Sequence, residues 1–428
     1  MAESLTAYQQ VKRKLRMHLA DLLELRTGDD RHKMLDRTIV ANQLRQAMET
    51  SPAEFKLGTI TQDQQQELIN EIVDEIAGIG PIEQLVSDST ISEIMVNGPH
   101  EIFIERNGKV ERIAAQFRDT QHLMSVIERM LGSVHLSINE ASPICDASLA
   151  DGSRINVIIP PLVLNGPVVT IRRKLRDWSM QDYLDKGSLT PEVAEFFSAC
   201  VKAKVNIVIS GGTSTGKTTL VSILSTFIPA EERLITIENV PELELINRKH
   251  WIRMVGRQSN MEGRGEVGLR ALVKNALRMR PDRIILGEAR GGEALDVVQA
   301  MHSGHDGFFT VLHANSPAAA LERLETLMLM SGLDLPLHAC RMQISSAVDL
   351  VVHVSRFLDG NRGISSITQL SGLTDGVIQL EELFTLDMVP GKAAGVFSGK
   401  LRYTGIKPKF LKKFQLEHIP VPSWLNVS

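Results

Sequence analysis

Gly211-Gly212-Thr213-Ser214-Thr215-Gly216-Lys217-Thr218-Thr219 is the stretch on which the reading of this chain turns. Before it, Val205-Asn206-Ile207-Val208-Ile209-Ser210 is a short, β-branched apolar run that predicts a buried parallel strand. After it, Leu220, Val221, Ile223, Leu224 and Phe227 recur at helical spacing. Strand, glycine loop and helix in that order separate a phosphate-binding loop from a chance match to Gly-x-x-x-x-Gly-Lys-Thr. The glycines let main-chain N–H groups converge on phosphate oxygens, and the helix N-terminus adds partial positive charge. Lys217 is placed to reach the β and γ oxygens, and the Thr218 hydroxyl to ligate Mg²⁺. The stretch 211–219 therefore predicts binding of a nucleoside triphosphate.

The rest of the composition sets limits. A chain of 428 residues should hold two or three domains. Its 43% hydrophobic and 23% charged content is that of an ordinary globular protein. A net charge of −4 supplies no global field for holding nucleic acid. Cys145, Cys200 and Cys340 lie far apart and match neither a zinc spacing nor a disulfide framework, so buried thiols in a reducing compartment are expected. No apolar core of signal-peptide length follows Met1. The longest apolar stretch, 155–169, is broken by Pro160-Pro161 and Asn165-Gly166-Pro167, short of the roughly 20 residues that span a bilayer. A cytosolic protein is expected.

Residues 1–60 are expected as an N-terminal helical segment, with amphipathic helices over 5–26 and 34–49 and a third over 61–77. Residues 61–174 predict a mixed α/β domain. Its strands fall at 91–96, 101–105 and 109–113, the last two joined by the hairpin signal Asn107-Gly108, and near 145–149, 154–159 and 168–173. A helix is marked by Leu123, Val126, Ile127, Met130 and Leu131. The polar, mixed stretch 175–190 reads as a hinge, and Thr190-Pro191 then opens a helix. Residues 191–428 alternate strand and helix, with strands at 205–210, 233–238, 283–288, 308–313 and 349–354. Helices fall at 217–227, 268–280, 291–303 and 316–331. Such alternation implies a mostly parallel sheet covered by helices.

Hydrolysis needs a carboxylate for the metal, a group to orient water, and cations for the transition-state charge. In a parallel sheet these belong at the C-terminal strand ends. Glu238 ends one strand and Glu242 follows it; Glu288 ends another, and His313 a third, with His305 preceding that last strand.

These residues lie in longer boxes. Ile237 to Leu243, Arg278 to Ala294, and Gly304 to Gly307 with Leu312 to Ser316 resemble the aspartate box, the glutamate-type Walker B and the histidine box of type II/type IV secretion ATPases. Glu93 to Pro99, Asp151 to Asn156 and Thr404 to Phe410 resemble, within that superfamily, the Tad/Flp pilus assembly ATPase of the CpaF or TadA type. The likeness runs from about residue 60 to 415. It implies a RecA-like P-loop NTPase motor domain with a C-terminal extension over 191–428, preceded by a nucleotide-clamping α/β domain and the short helical bundle. It further implies ATP and Mg²⁺ as cofactors and a homohexameric ring. The ring would stand at the cytoplasmic face of the bacterial inner membrane, held by pilus or secretion platform proteins, with no specific nucleic acid.

By matching motif, Lys217 and Thr218 would bind phosphate and Mg²⁺, and Glu238 would position or activate water. Glu288 would hold the hydrated metal, with Thr218 as its partner ligand. His313 and His305 would sense γ-phosphate or a subunit interface. Arg154 and Arg172, with Arg173 as a neighbouring alternative, would reach phosphate from the N-terminal domain. Two positions depart from the family pattern: Asn239 stands where aspartate is usual, and Ser214 where glycine is usual. Slow hydrolysis is compatible with both departures. The reading is thus a Tad/Flp-type pilus motor, with a type IV secretion ATPase for DNA or protein export as one alternative. A nucleotide-regulated scaffold of very slow turnover is the other.

Overall fold

The computed structural model describes residues 6–24, 37–106, 108–134, 136–174, 178–185, 188–245, 248–257, 265–357, 362–388 and 399–426. The chain divides into two compact units, Met1–Leu175 and Arg176–Ser428. The first holds helices Ala7–Glu24, Arg37–Thr50 and Gln62–Ala77. Their apolar stripes meet in one small core of Leu15, Leu19, Leu44, Leu68 and Ile72. The third helix starts where the sequence says it should. Thr61 accepts from the Gln64 amide while the Gln64 side chain accepts from Thr61 N–H, a reciprocal cap. The outer ends of the two earlier helices, 5, 25–26 and 34–36, lie outside the described residues.

Six strands follow: β1 (Ile91–Asn97), β2 (Ile102–Arg106), β3 (Lys109–Ile113), β4 (Ile144–Ser148), β5 (Arg154–Ile158) and β6 (Val168–Arg172). They form one antiparallel sheet in the order β3-β2-β1-β6-β5-β4. Asn107 of the expected hairpin is outside the described residues, but Gly108 takes φ +78° and Arg106 pairs with Lys109. Residues alternate across the sheet, so Ile94, Val96, Ile155 and Ile171 point to one side. There the helix Thr120–Gly132 buries Leu123, Val126, Ile127 and Leu131.

The second unit is built on nine strands: β7 (Ile207–Gly211), β8 (Leu234–Glu238), β9 (Trp251–Val255), β10 (Arg283–Leu286), β11 (Phe309–His313), β12 (Leu350–Arg356), β13 (Arg362–Thr374), β14 (Val377–Met388) and β15 (Gly399–Tyr403). Their order is β15-β14-β13-β12-β7-β11-β10-β8-β9. From β12 to β9 the pairing is parallel, and β13 to β15 add antiparallel to that edge. Apolar cores lie on both faces, which is why β7, β8 and β10 are buried along their whole length. The helices Pro191–Lys202 and Pro317–Leu329 open on Thr190 and Ser316, each of which accepts from a main-chain N–H three residues on.

Several features were not anticipated, among them the helices Leu337–Ala347 and Leu411–Leu416. The strands β9 and β13–β15 went unread. The strand expected over 283–288 stops at Leu286, which frees Gly287 and Glu288 from the sheet. Inside the stretch expected as a hinge, Met180–Asp185 is a helix with Tyr183 buried in the apolar core of the second unit. Residues 175–177 and 186–187 of that stretch are outside the described ones.

A buried asparagine fastens the N-terminal ends of three central strands. Asn206 is 1% exposed. Its Nδ2 donates to the Ala347 carbonyl at 2.9 Å, its Oδ1 accepts from Phe308 N–H at 3.0 Å, and its own N–H donates to Asp349 at 2.8 Å. Each buried group left unpaired costs about 1–3 kcal/mol. Asn206→Ala should therefore destabilise the second unit by about 2–4 kcal/mol, seen as a lower denaturation midpoint; an unchanged midpoint would show that the amide is dispensable.

Candidate nucleotide site

The loop leaves the sheet at Gly211, the last residue of β7, and enters the helix Lys217–Ser225. A Cβ at Gly211 would strike the Val354 carbonyl of β12 and lie 2.8 Å from Thr215 Oγ1. Glycine is thus required by close approach. Gly216 takes φ +95° just before the helix, and Thr215 Oγ1 donates to the Gly212 carbonyl at 3.0 Å. Ser214 has φ +57°, the left-handed region where a side chain is disfavoured. The substitution at this position is therefore carried in the backbone conformation that glycine tolerates best.

Lys217 is 6% exposed, and its Nζ donates to the Gly211 and Gly212 carbonyls at 3.1 and 2.6 Å. His313, at the end of β11, brings Nδ1 to 3.5 Å from Lys217 Nζ and Nε2 to 3.1 Å from Glu288 Oε1. Lysine only donates, so Nδ1 accepts and Nε2–H faces the carboxylate. Burial first, then the Lys217 charge, pushes the His313 pKa down, against the opposing pull of Glu288. Glu288 Oε2 in turn meets Arg290 Nη2 at 2.7 Å. Arg290, Glu288, His313 and Lys217 form one continuous chain into the loop.

The carboxylate that meets Thr218 is Glu242. Thr218 Oγ1 donates to Glu242 Oε2 at 3.1 Å. The sequence named Glu242 among the strand-end acids and gave it no role; its place depends on a turn that residue order alone does not draw. Glu238 builds that turn. It is 4% exposed, and Oε1 accepts from the Glu242 and Leu243 amides at 2.9 and 3.0 Å. Burial raises its pKa, and the two main-chain bonds oppose that rise. Through these two bonds Glu238 positions Glu242. Gly287 makes room for it, since a Cβ there would lie 2.9 Å from Glu238 Cγ. Glu288 itself is bonded to Arg290 and His313.

The structure does not bring His305 to the loop. It precedes β11 and lines a polar cavity with Lys204, Arg283 and Glu417 at the N-terminal ends of the strands, the opposite end of the sheet from 211–219. Arg154 and Arg172 stand directly opposite one another on β5 and β6, and Arg172 also faces Glu93 on β1. The Glu93 carboxyl is held above its usual range, by burial first and by Glu105 next. Arg173 is anchored instead, donating to the main-chain carbonyls of Asp88 and Ile91. Asn239 is exposed, its Oδ1 3.0 Å from where a Cβ on Gly256 would stand.

Among the described residues no group of three or more His, Cys, Asp and Glu could cage a metal. What Thr218, Glu242 and Glu288 offer is a few hard oxygen donors beside a phosphate cradle, which fits Mg²⁺ held partly by water and substrate.

Residues 75–369 match the Type II/IV secretion system protein family. The chain belongs to that family. It is 30% identical over 303 residues to a Mycobacterium tuberculosis protein assigned provisionally to conjugal transfer, covering 69% of this chain and 85% of that one. It is 35% identical over 301 residues to the type IV secretion system protein VirB11 of Brucella suis, covering 64% and 83%. Among solved structures, the pilus retraction motor PilT with bound ADP shares the fold at a TM-score of 0.51 and 17% identity, covering 69% of this chain and 83% of that one. The α/β architecture, with an N-terminal domain before a RecA-like one, is that of these secretion ATPases.

Two substitutions test the site's construction. Glutamine at 238 keeps an oxygen for both amides, so Glu238→Gln should melt within a degree or two of the parent, whereas Glu238→Ala should lose about 2–4 kcal/mol; equal melting of the two would remove the capping role. At 214, glycine relieves a left-handed cost of roughly 1–2 kcal/mol less about 0.5–1 for its own flexibility. Ser214→Gly should raise the melting point slightly and Ser214→Val should lower it. A rise with valine would contradict the backbone assignment.

Proposed function

We propose that this chain is an ATPase motor that hydrolyses Mg²⁺-ATP to drive Tad/Flp-type pilus assembly, or related type IV secretion. It works as a homohexamer at the cytoplasmic face of the inner membrane, associated through platform proteins. The observation that carries the reading is the contact of Thr218 with Glu242 beside a loop whose lysine is joined through His313 to Glu288. Those are the parts that phosphoryl transfer to water requires, gathered at the C-terminal ends of β7, β8, β10 and β11. No described helix is long and apolar enough to cross a membrane.

In this reading Lys217 and the main-chain amides of 211–219 bind the phosphates. Thr218, with Glu242 and Glu288, holds the metal. Mg²⁺, when bound, neutralises charge shared by the β and γ oxygens. A carboxylate of this pair accepts the proton of the attacking water, and His313 reports the γ-phosphate to Glu288. Arg154 and Arg172 supply cations for the phosphates. The similarity to VirB11 also supports the reading as an export ATPase for DNA or protein.

Phosphate release by the full chain with ATP and Mg²⁺ is the test. Lys217→Ala and Glu288→Gln should each lower turnover by about 10²-fold or more. Parent turnover no faster than that of Lys217→Ala would overturn the motor and leave the nucleotide-regulated scaffold. Deleting the gene separates the two motors: loss of surface pili with export intact assigns pilus assembly, and the reverse assigns export.

A further inference from the structure

Glu242 owes its place at Thr218 to more than Glu238. Both main-chain bonds that Glu238 accepts end on one oxygen, Oε1. Two donors on a single acceptor draw the turn inward but let it swing about that atom, so its angle needs a further point of attachment. The outermost parallel strand supplies one. Thr236 and Glu238 of β8 lie in register with Arg253 and Val255 of β9, and Leu234 with Trp251. Residues two apart on a strand share a face, and so do register partners on neighbouring strands. Glu238, Thr236, Trp251 and Arg253 therefore stand on one face of the sheet, the face whose apolar core includes Leu234 and Leu243.

On that face Trp251 is tied down, because its Nε1 donates to Thr236 Oγ1 at 2.9 Å. The Arg253 guanidinium lies over the indole, with Cζ 4.8 Å from the ring centroid. Such a cation–ring contact is worth about 0.5–1 kcal/mol even at an exposed position, and Arg253 is exposed. From there Nη2 donates to the Leu243 carbonyl at 2.9 Å. Leu243 is thus gripped at its N–H by Glu238 and at its C=O by Arg253.

We propose that Arg253 is a positioning residue of the nucleotide site: braced on Trp251, it fixes the outer side of the 241–243 turn and so holds the Glu242 carboxylate at the Thr218 hydroxyl. The proposal rests on the nucleotide reading above and deepens it, since it makes metal affinity depend on a residue that acts through Glu242. Methionine at 253 would fill similar space with neither charge nor donor. Lysine would keep a cation for the ring and a donor for the carbonyl, without the planar fork that stacks on the indole.

The test measures binding of a fluorescent ATP analogue to the full chain, once with Mg²⁺ and once in EDTA. The ratio of the two affinities is the factor by which the metal tightens the nucleotide. Arg253→Met should cut that factor about three- to tenfold, while affinity in EDTA stays within about twofold of the parent. Arg253→Lys should recover part of the loss. Glu242→Gln should lower the same factor, and adding Arg253→Met to it should change the factor by less than about twofold, because the residue it acts through is already altered. A parent-like factor in Arg253→Met, an equal loss in EDTA, a lysine variant no better than methionine, or losses that multiply in the double variant each overturn the proposal. Should the methionine variant fail to fold, Arg253→Gln is read by the same measures. A parent chain that binds no analogue, or binds it no tighter with Mg²⁺, refutes the nucleotide reading itself, before any variant is compared.

Discussion

Everything in the second unit is arranged around the closeness of β7 and β12 at one point. Gly211 lies so near the Val354 carbonyl that no side chain fits between them. That approach lets the chain turn out of the sheet within one residue, and it leaves the carbonyls of Gly211 and Gly212 facing the ammonium of Lys217. Because β7 has β11 on its other edge, the same point receives His313 and the Ala314 amide. Sheet order, more than any local motif, decides which side chains meet the loop. A strand inserted between β7 and β11 would leave the loop intact and take His313 away from Lys217.

The three acids near the loop show how environment divides one residue type into separate tasks. Glu238 is buried, has a raised pKa and is bonded to main-chain amides, so its value lies in shape. Glu242, delivered by that shape, keeps its carboxylate for Thr218. Glu288, released from β10 by its early end, is balanced between a guanidinium and an imidazole. A charge that must act on a ligand stays partly solvated or paired, whereas one that is fully buried is better employed as a cap.

The loop, the helix starts at Thr190 and Ser316, and the parallel strands other than β9 were legible in the sequence because each is written within about ten neighbouring residues and needs no distant partner. His305 and His313 were not separable by motif, since they share one box. They flank β11, and at about 3.3 Å per residue a strand places its two ends on opposite sides of the sheet. That argument was available from residue order once the strand direction was set. Glu242 was beyond reach, because its position depends on a buried hydrogen-bonded turn. The hairpin of β13 and β14 went unread although it carries a turn signal, Asp375-Gly376, whose φ values of +51° and +75° suit a tight hairpin. Its strands hid behind mixed polar and apolar residues on an edge where both are tolerated.

The two departures from the family pattern now differ in kind. Asn239 is exposed and lies beside Gly256, whereas the carboxylate at Thr218 comes from Glu242, so the missing charge is at the rim of the site. Ser214 is inside the cradle and sits in a left-handed conformation. The cost of that conformation, about 1–2 kcal/mol, is small beside the several main-chain N–H bonds that a bound phosphate would make with the same loop. A phosphate-bound loop would therefore keep this geometry, and the strain would be felt when the loop must relax between ligand states. In the proposed reading, Ser214 would thus bear on the rates of exchange and turnover more than on affinity.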